Sequence, residues 1–215
     1  MQEKKFIGNT GGAWDEEMHM ALHPKNFNFG MANFIVKSIK PKNILEFGSG
    51  LGFLSKHIVD NLKLSDVYCI EPNKIKGLYD TDKGPKLIPL NIFEDKHPKE
   101  IKRTFDLVMS IEVAEHIEQE RHDELFDFLV SHTENWIVFS GAHVGQGGHG
   151  HIAERPEEEW KKEFTKRGMI FQEQLTKEIR EACDKKNINH RQNLLIFKHP
   201  KQISILKRIF SKLFI

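Results

Sequence analysis

Glu112, Glu115 and His116 stand at i, i+3 and i+4 in the run IEVAEHI, residues 111–117. On a helical turn these positions share one face, so two carboxylates and an imidazole would converge there. Such a set binds a divalent cation or handles protons. A second group of candidates follows in residues 141–151, GAHVGQGGHGH, which hold three histidines among five glycines. A loop so rich in glycine buries little apolar surface, and loops that border a site carry function. A histidine there has a pKa near neutrality and can take a proton from a hydroxyl. The loop also reads as a flexible glycine segment with exposed histidines. His151 adjoins Ile152 and lies just before Pro156, whereas His149 sits between glycines, so His151 is the better anchored base. His149 and His116 are the other candidates. His151 can also complete a metal shell with Glu112, Glu115 and His116.

The elements that deliver these groups start at residues 43–52, NILEFGSGLG. An apolar pair, Ile44 and Leu45, leads to the acid Glu46 and then to Gly48, Gly50 and Gly52. Leu51, Leu54, Ile58 and Leu62 follow at helical spacing. This reads as a buried strand, a tight turn and a helix start, where glycine lets the backbone approach a ligand closely. The helix N-terminus adds unpaired N–H groups. The spacing is not that of a dinucleotide fingerprint, because the third glycine of G-x-G-x-x-G would fall at Phe53. No phosphate loop of the form G-x-x-x-x-G-K-[ST] is present. An acid two residues before the first glycine suits a cationic ligand better than a pyrophosphate.

With these residues, E-F-G-S-G-L-G resembles the first motif of class I S-adenosylmethionine (SAM)-dependent methyltransferases. The resemblance covers roughly residues 30–198. It implies a Rossmann-like α/β fold: a seven-stranded sheet with helices on both faces and the last strand antiparallel. It also implies that SAM is held by Glu46, Gly48, Ser49, Gly50, Gly52, Glu71, Asn91 and Glu112. Glu71 ends the β-prone run 66–70 and lies about 20 residues past the glycine turn, where an acid accepts both ribose hydroxyls. Asn91 falls where the family contacts the adenine amino group; it also reads as a simple turn residue. The E-V-x-E-H run resembles small-molecule O-methyltransferases and the metal-binding pattern of small-RNA 2′-O-methyltransferases; the resemblance equally implies a plain wall of the cofactor pocket, with Glu112 capping, Val113 and Ile117 packing and His116 behind them. H-G-H-I-x-E-R-P, from His149, resembles a segment bordering the acceptor pocket in bacterial methyltransferases of small molecules and sugars.

Strand and helix patterns alternate along the chain. A helix is expected over 30–40, then a strand at 43–47, a helix at 51–62, a strand at 66–71 and a short helix near 73–79. Strands follow at 86–91, where Pro89 favours an edge, at 105–110 and at 135–141. Helices are expected at 119–132 and 156–167, the latter with Pro156 in its first turn and Gly168 as its cap. Final strands are expected near 169–174 and 193–198. Such alternation argues for a sheet covered on both faces.

The chain has 215 residues and a formal net charge of +1. That length suits one α/β domain, and the charge offers no general attraction for nucleic acid. Cys69 and Cys183 form no C-x-x-C motif and read as free thiols of a reducing cytosol. No export signal or membrane-spanning run is seen. Residues 1–29, with Trp14, His19 and His23, read as an N-terminal arm or a lid, and 30–200 as the methyltransferase domain. Residues 201–215 place Leu206, Ile209, Phe210, Leu213 and Phe214 on one helical face, with Lys207, Arg208 and Lys212 largely elsewhere. A basic amphipathic helix of this kind docks on its own domain or a second subunit, or touches the inner membrane face weakly.

The expected activity is methyl transfer from SAM to a hydroxyl, or less readily an amine, of a small polar acceptor such as a sugar or nucleotide-sugar. A metal-dependent RNA 2′-O-methyltransferase and a non-catalytic methyltransferase-like subunit are the alternatives.

Overall fold

The computed structural model describes residue 21 and residues 28–72, 83–94 and 101–200. The expected lid (apart from residues 21, 28 and 29), the short helix near 73–79 and the C-terminal helix all lie outside these residues.

Seven strands form one sheet: β1 (Ile44–Phe47), β2 (Val67–Ile70), β3 (Lys86–Ile88), β4 (Phe105–Ile111), β5 (Thr133–Ser140), β6 (Ile170–Phe171) and β7 (Leu195–Lys198). Their order is β3-β2-β1-β4-β5-β7-β6. β1 pairs in parallel with β2 and β4, and β7 is antiparallel to β5 and β6. β1 is buried along its whole length, ILEF, which is why its pattern is near-continuously apolar rather than alternating.

Successive side chains of β1 feed opposite layers. Leu45 and Phe47 pack with α3 (His122–Ser131) and α4 (Glu157–Thr165) through Leu125, Phe126, Trp160 and Phe164. Ile44 packs with α1 (Phe29–Phe34), α2 (Phe53–Leu62) and α5 (Glu173–Ala182) through Met31, Ile58 and Ile179, and with Ile35 just past α1. Each such side chain, fully buried, contributes about 1.5–3 kcal/mol. Because β1 is flanked by both β2 and β4, chain connections leave it in opposite directions. The crevice at its carboxyl end is therefore the place for a ligand.

Several local expectations hold for visible reasons. Asn28 caps α1, its side chain accepting from the Met31 N–H at 3.0 Å. That helix continues as a π-helical turn, Ile35–Ile39, and stops at Lys40 in the left-handed region. Pro89 falls just past β3, an edge strand. Gly168 (φ 83°) ends α4: its N–H reaches the Thr165 carbonyl and the Met169 N–H reaches that of Phe164. These two bonds form a Schellman cap. Pro156 stands one residue before α4 rather than within its first turn.

Other expectations need correction. The strand expected at 169–174 has two residues only, because α5 starts at Glu173. That helix buries Thr176 and Ile179, with Leu175 partly buried and Cys183 behind them. A short helix, α6 (Ile188–Asn193), follows and was not foreseen. Both cysteines are buried and unpaired with each other. Among the described residues, no helix is long and apolar enough to cross a membrane.

Candidate functional site

The turn after β1 is built against its neighbours. Gly48 has φ 71°, and a Cβ there would lie 2.5 Å from Cγ2 of Val113. A side chain at that position would strain the backbone and collide with the segment after β4. The Gly48 and Ser49 N–H groups both donate to the Ile70 carbonyl, at 2.9 and 3.1 Å. The Gly50 N–H donates to Oε2 of Glu71 at 2.9 Å. The turn is thus held by the end of β2, and Glu71 is buried beside it. Gly52 caps α2.

Glu46 points from β1 toward α2. The Ser55 hydroxyl donates to its carboxylate, and the Cys69 thiol lies 4.0 Å away. Burial pushes the Glu46 carboxyl up to about 7, and nearby Glu71 adds to the rise. A buried acid of this kind favours a cationic partner. Asn91 follows β3, and its Oδ1 accepts from the Phe93 N–H at 3.1 Å.

The i, i+3, i+4 face at residues 112–116 does not form. Glu112 adopts the left-handed region at φ 53°, and only Ala114–His116 make a tight helical turn. The Glu112 carboxylate turns away and accepts from Nε2 of Gln146 at 3.2 Å and Nδ2 of Asn193 at 3.1 Å. Asn193 also donates to Oε1 of Gln146 at 2.8 Å. Glu112 therefore joins the glycine loop to α6, apart from the other three candidate ligands.

Those three do meet. Ligand atoms of Glu115, His116 and His151 lie within 4.8 Å of one another. Glu115 is fully buried, and among the described residues no side chain hydrogen-bonds its carboxylate. Burial, and then the charge of Glu112, push its carboxyl well above the usual range. The Glu115 carbonyl accepts from the Ile152 and Ala153 N–H groups at 2.9 and 3.1 Å, which draws the histidine loop onto the turn.

Each histidine is fixed through Nδ1. That of His116 lies 3.0 Å from the Gly150 carbonyl, which can only accept, so Nδ1 carries the proton. That of His151 lies 2.8 Å from Oε1 of Glu154. The rings meet edge to face at 5.0 Å, and Nε2 of His151 is 4.0 Å from Oε1 of Glu115. Burial pushes the pKa of His116 down to about 4, so it is neutral at physiological pH. Glu154 also accepts from the Gly145 and Gly147 N–H groups at 2.8 and 2.7 Å, ordering the glycine loop. The His151 hydrogen bond holds its carboxyl below the usual range.

A cavity of about 610 Å³ connects these groups. Glu46, Gly48, Ser49, Glu71 and Asn91 line it, as do Glu112, His116, Gln146, His149 and His151, whereas Glu115 and Glu154 lie behind its wall. Lys186, Asn187, Ile188 and His190 complete the wall. The sequence pattern does not point to this last group or to Asn193, and it places Gln146 and Glu154 near the site without a role. The polar run 186–190, KNINH, was its one available signal.

No protein-family model matches the sequence, and no similar curated protein was found. Solved structures do match. The plantazolicin methyltransferase BpumL in complex with S-adenosylhomocysteine (SAH) is 13% identical, with a TM-score of 0.56, over 86% of this chain and 87% of that one. The methyltransferase domain of bacterial CtHen1-CN is 16% identical, with a TM-score of 0.59, over 79% and 96%. Magnesium protoporphyrin IX methyltransferase from Synechocystis PCC 6803, with bound SAM, is 13% identical, with a TM-score of 0.50, over 78% and 74%. The strand order and these matches give the chain the class I methyltransferase fold.

Proposed function

We propose that the chain binds SAM and transfers its methyl group to a hydroxyl of a small polar acceptor of the sugar or nucleotide-sugar class. The observation that carries this reading is the pairing of two buried acids, Glu46 and Glu71, around a glycine turn in the cavity wall. Lys186 is the one lysine or arginine in the cavity wall among the described residues, against the two carboxylates. A pyrophosphate would face two carboxylates there, whereas a sulfonium, an α-amino group and ribose hydroxyls suit them. The residues therefore fit SAM, which when bound supplies an electrophilic methyl group. Glu71 would accept the ribose hydroxyls, Glu46 would face positive charge, and Ser49, Gly50, Asn91 and Glu112 would line the site.

The chain's own part in the chemistry is positioning and proton removal. The cavity must hold the acceptor oxygen in line with the methyl–sulfur bond. In this reading Nε2 of His151 takes the hydroxyl proton, while Glu154 at 2.8 Å steadies the cation that forms. His149 and His116 line the same cavity.

A second reading rests on Glu115. A fully buried carboxylate that no side chain hydrogen-bonds among the described residues, beside two histidines that hold Nδ1 protons on other partners, suits a divalent cation. Glu115, His116 and His151 would then be its ligands, and the ion would lower the pKa of an acceptor hydroxyl. Ribose 2′-hydroxyls of RNA are acceptors compatible with that chemistry, although the net charge of +1 provides no general attraction for them.

Calorimetry with SAM and SAH, followed by transfer of radiolabelled methyl from SAM to a panel of sugars, nucleotide-sugars and short RNAs, tests the proposal. Absence of SAM and SAH binding would overturn it. Labelling of RNA alone would select the second acceptor class.

A further inference from the structure

His122 begins α3 and is buried. Its Nε2 lies 3.0 Å from the Ala114 carbonyl and 3.1 Å from that of Ile117. Both are acceptors, so Nε2 carries the proton. The two carbonyls bracket Glu115 and His116. Nδ1 of His122 accepts from Nη1 of Arg155 at 3.1 Å.

Arg155 follows Glu154, the residue that holds His151. Its own N–H donates to the Ala142 carbonyl at 3.2 Å, and its guanidinium lies 5.0 Å over the Trp160 ring. Its remaining donors reach Glu159 at 2.9 Å and Glu163 at 3.1 Å. Glu163 is in turn paired with Lys166 and Arg167. One chain of hydrogen bonds thus runs from α4 through Arg155 and His122 to the backbone of the acid–histidine turn. Neither His122 nor Arg155 lines the cavity.

We propose that His122 and Arg155 are a positioning pair. They hold the turn bearing Glu115 and His116 against the segment bearing His151 and Glu154, and so set the spacing at which those groups meet. The main-chain bonds from Ile152 and Ala153 to the Glu115 carbonyl fix the centre of this junction. The side-chain pair fixes its flanks, and only with the ring neutral and protonated on Nε2: Nδ1 must present a lone pair to Arg155. The inference deepens the reading of the histidine cluster and rests on it for its function.

The test uses the full chain with labelled histidine. Imidazole nitrogen NMR at a single pH reports the tautomers and shifts of His116, His122 and His151. A Co²⁺ titration followed by visible absorption reports their convergence on an ion. His122→Phe keeps a ring against Trp160 but removes both hydrogen-bonding functions; His122→Gln retains a donor. In wild type, His122 should show the Nε2–H tautomer. His122→Phe should displace the His116 and His151 signals and weaken Co²⁺ by about 10–100-fold, the usual range for groups that orient ligands. His122→Gln should restore most of both, and SAM affinity should stay within about twofold throughout.

Wild-type signals and Co²⁺ affinity in His122→Phe would overturn the proposal. So would equal impairment in the Phe and Gln variants, which would show that a donor at this position does not hold the turn. If wild type shows no cobalt bands, the metal reading fails by itself, and the imidazole shifts still decide the positioning role. Arg155→Met, which leaves the buried ring in place, carries the same comparison if His122→Phe does not fold.

Discussion

Nδ1 of His151 lies 2.8 Å from Oε1 of Glu154, and this bond orients the imidazole so that Nε2 sits 4.0 Å from Oε1 of Glu115. The carboxylate behind the ring also gathers the Gly145 and Gly147 N–H groups. One acid therefore both aims the histidine and shapes the loop that carries it.

If His151 is the base, His151→Ala should lower turnover by about 10²–10⁴-fold while SAM affinity stays near wild type. His149→Ala should do less, since His149 is exposed. Steady-state rates with an accepted substrate, alongside calorimetry with SAM, give the comparison. Unchanged turnover in both variants would move the base elsewhere, and loss of SAM binding in both would make the loop a cofactor cover. His116 is a poor substitute at neutral pH, because burial pushes its pKa down to about 4.

Glu71→Ala should weaken SAM and SAH alike. It removes a charged acceptor for two hydroxyls, about 1.5–3 kcal/mol for such bonds. The same change also frees the Gly50 N–H, so Glu71→Gln is the gentler control. Affinity unchanged in both variants would remove the ribose role from Glu71.

Under the proposed reading, Glu46 should make SAM affinity depend on pH. Its folded pKa is raised to about 7, so below that value the acid is protonated and offers no charge to a cation. Affinity should rise as pH increases through about 7, with proton release on binding that differs between buffers of different ionisation enthalpy. The stability sign is opposite. An acid with a raised pKa favours the folded chain at low pH, and this advantage is lost between the unfolded value near 4.5 and the folded value near 7. Glu46→Gln should therefore raise the unfolding temperature at pH 8 and change it little at pH 4. Equal shifts at both pH values would count against the buried-acid account.

A bound cation would hold Glu115 in its ionised form. Its carboxyl is raised well above the usual range, so metal binding should release a proton and strengthen as pH rises. Glu115→Gln should abolish binding of Mn²⁺ or Co²⁺ without unfolding the chain. Elemental analysis of purified protein and activity after exhaustive chelation provide the check. Full activity with no metal present would reject the cation and leave His151 as base.

Much of the scaffold was legible because its signals are local. The glycine turn follows from Gly48 and Gly50, the edge position of β3 from Pro89, and the cap of α4 from Gly168, each a matter of backbone freedom at one residue. Glu71 was found from its distance to that turn, and its bond to the Gly50 N–H bears out that the two lie together. The helix α5 was missed although Leu175 and Ile179 carry its spacing, because the short strand before it absorbed its first residues.

Only the tertiary structure decided which acid meets which histidine. Residues 112–116 look like one face when read as a regular helix, but Glu112 at φ 53° reverses that direction. Its carboxylate goes to Gln146 and Asn193, while Glu115 stays with His116 and His151. The pairing also depends on bonds between distant segments, from Ile152 to the Glu115 carbonyl and from Arg155 through His122 to the turn. A side chain's direction is set by one dihedral and by partners far along the chain, and neither is written in residue spacing.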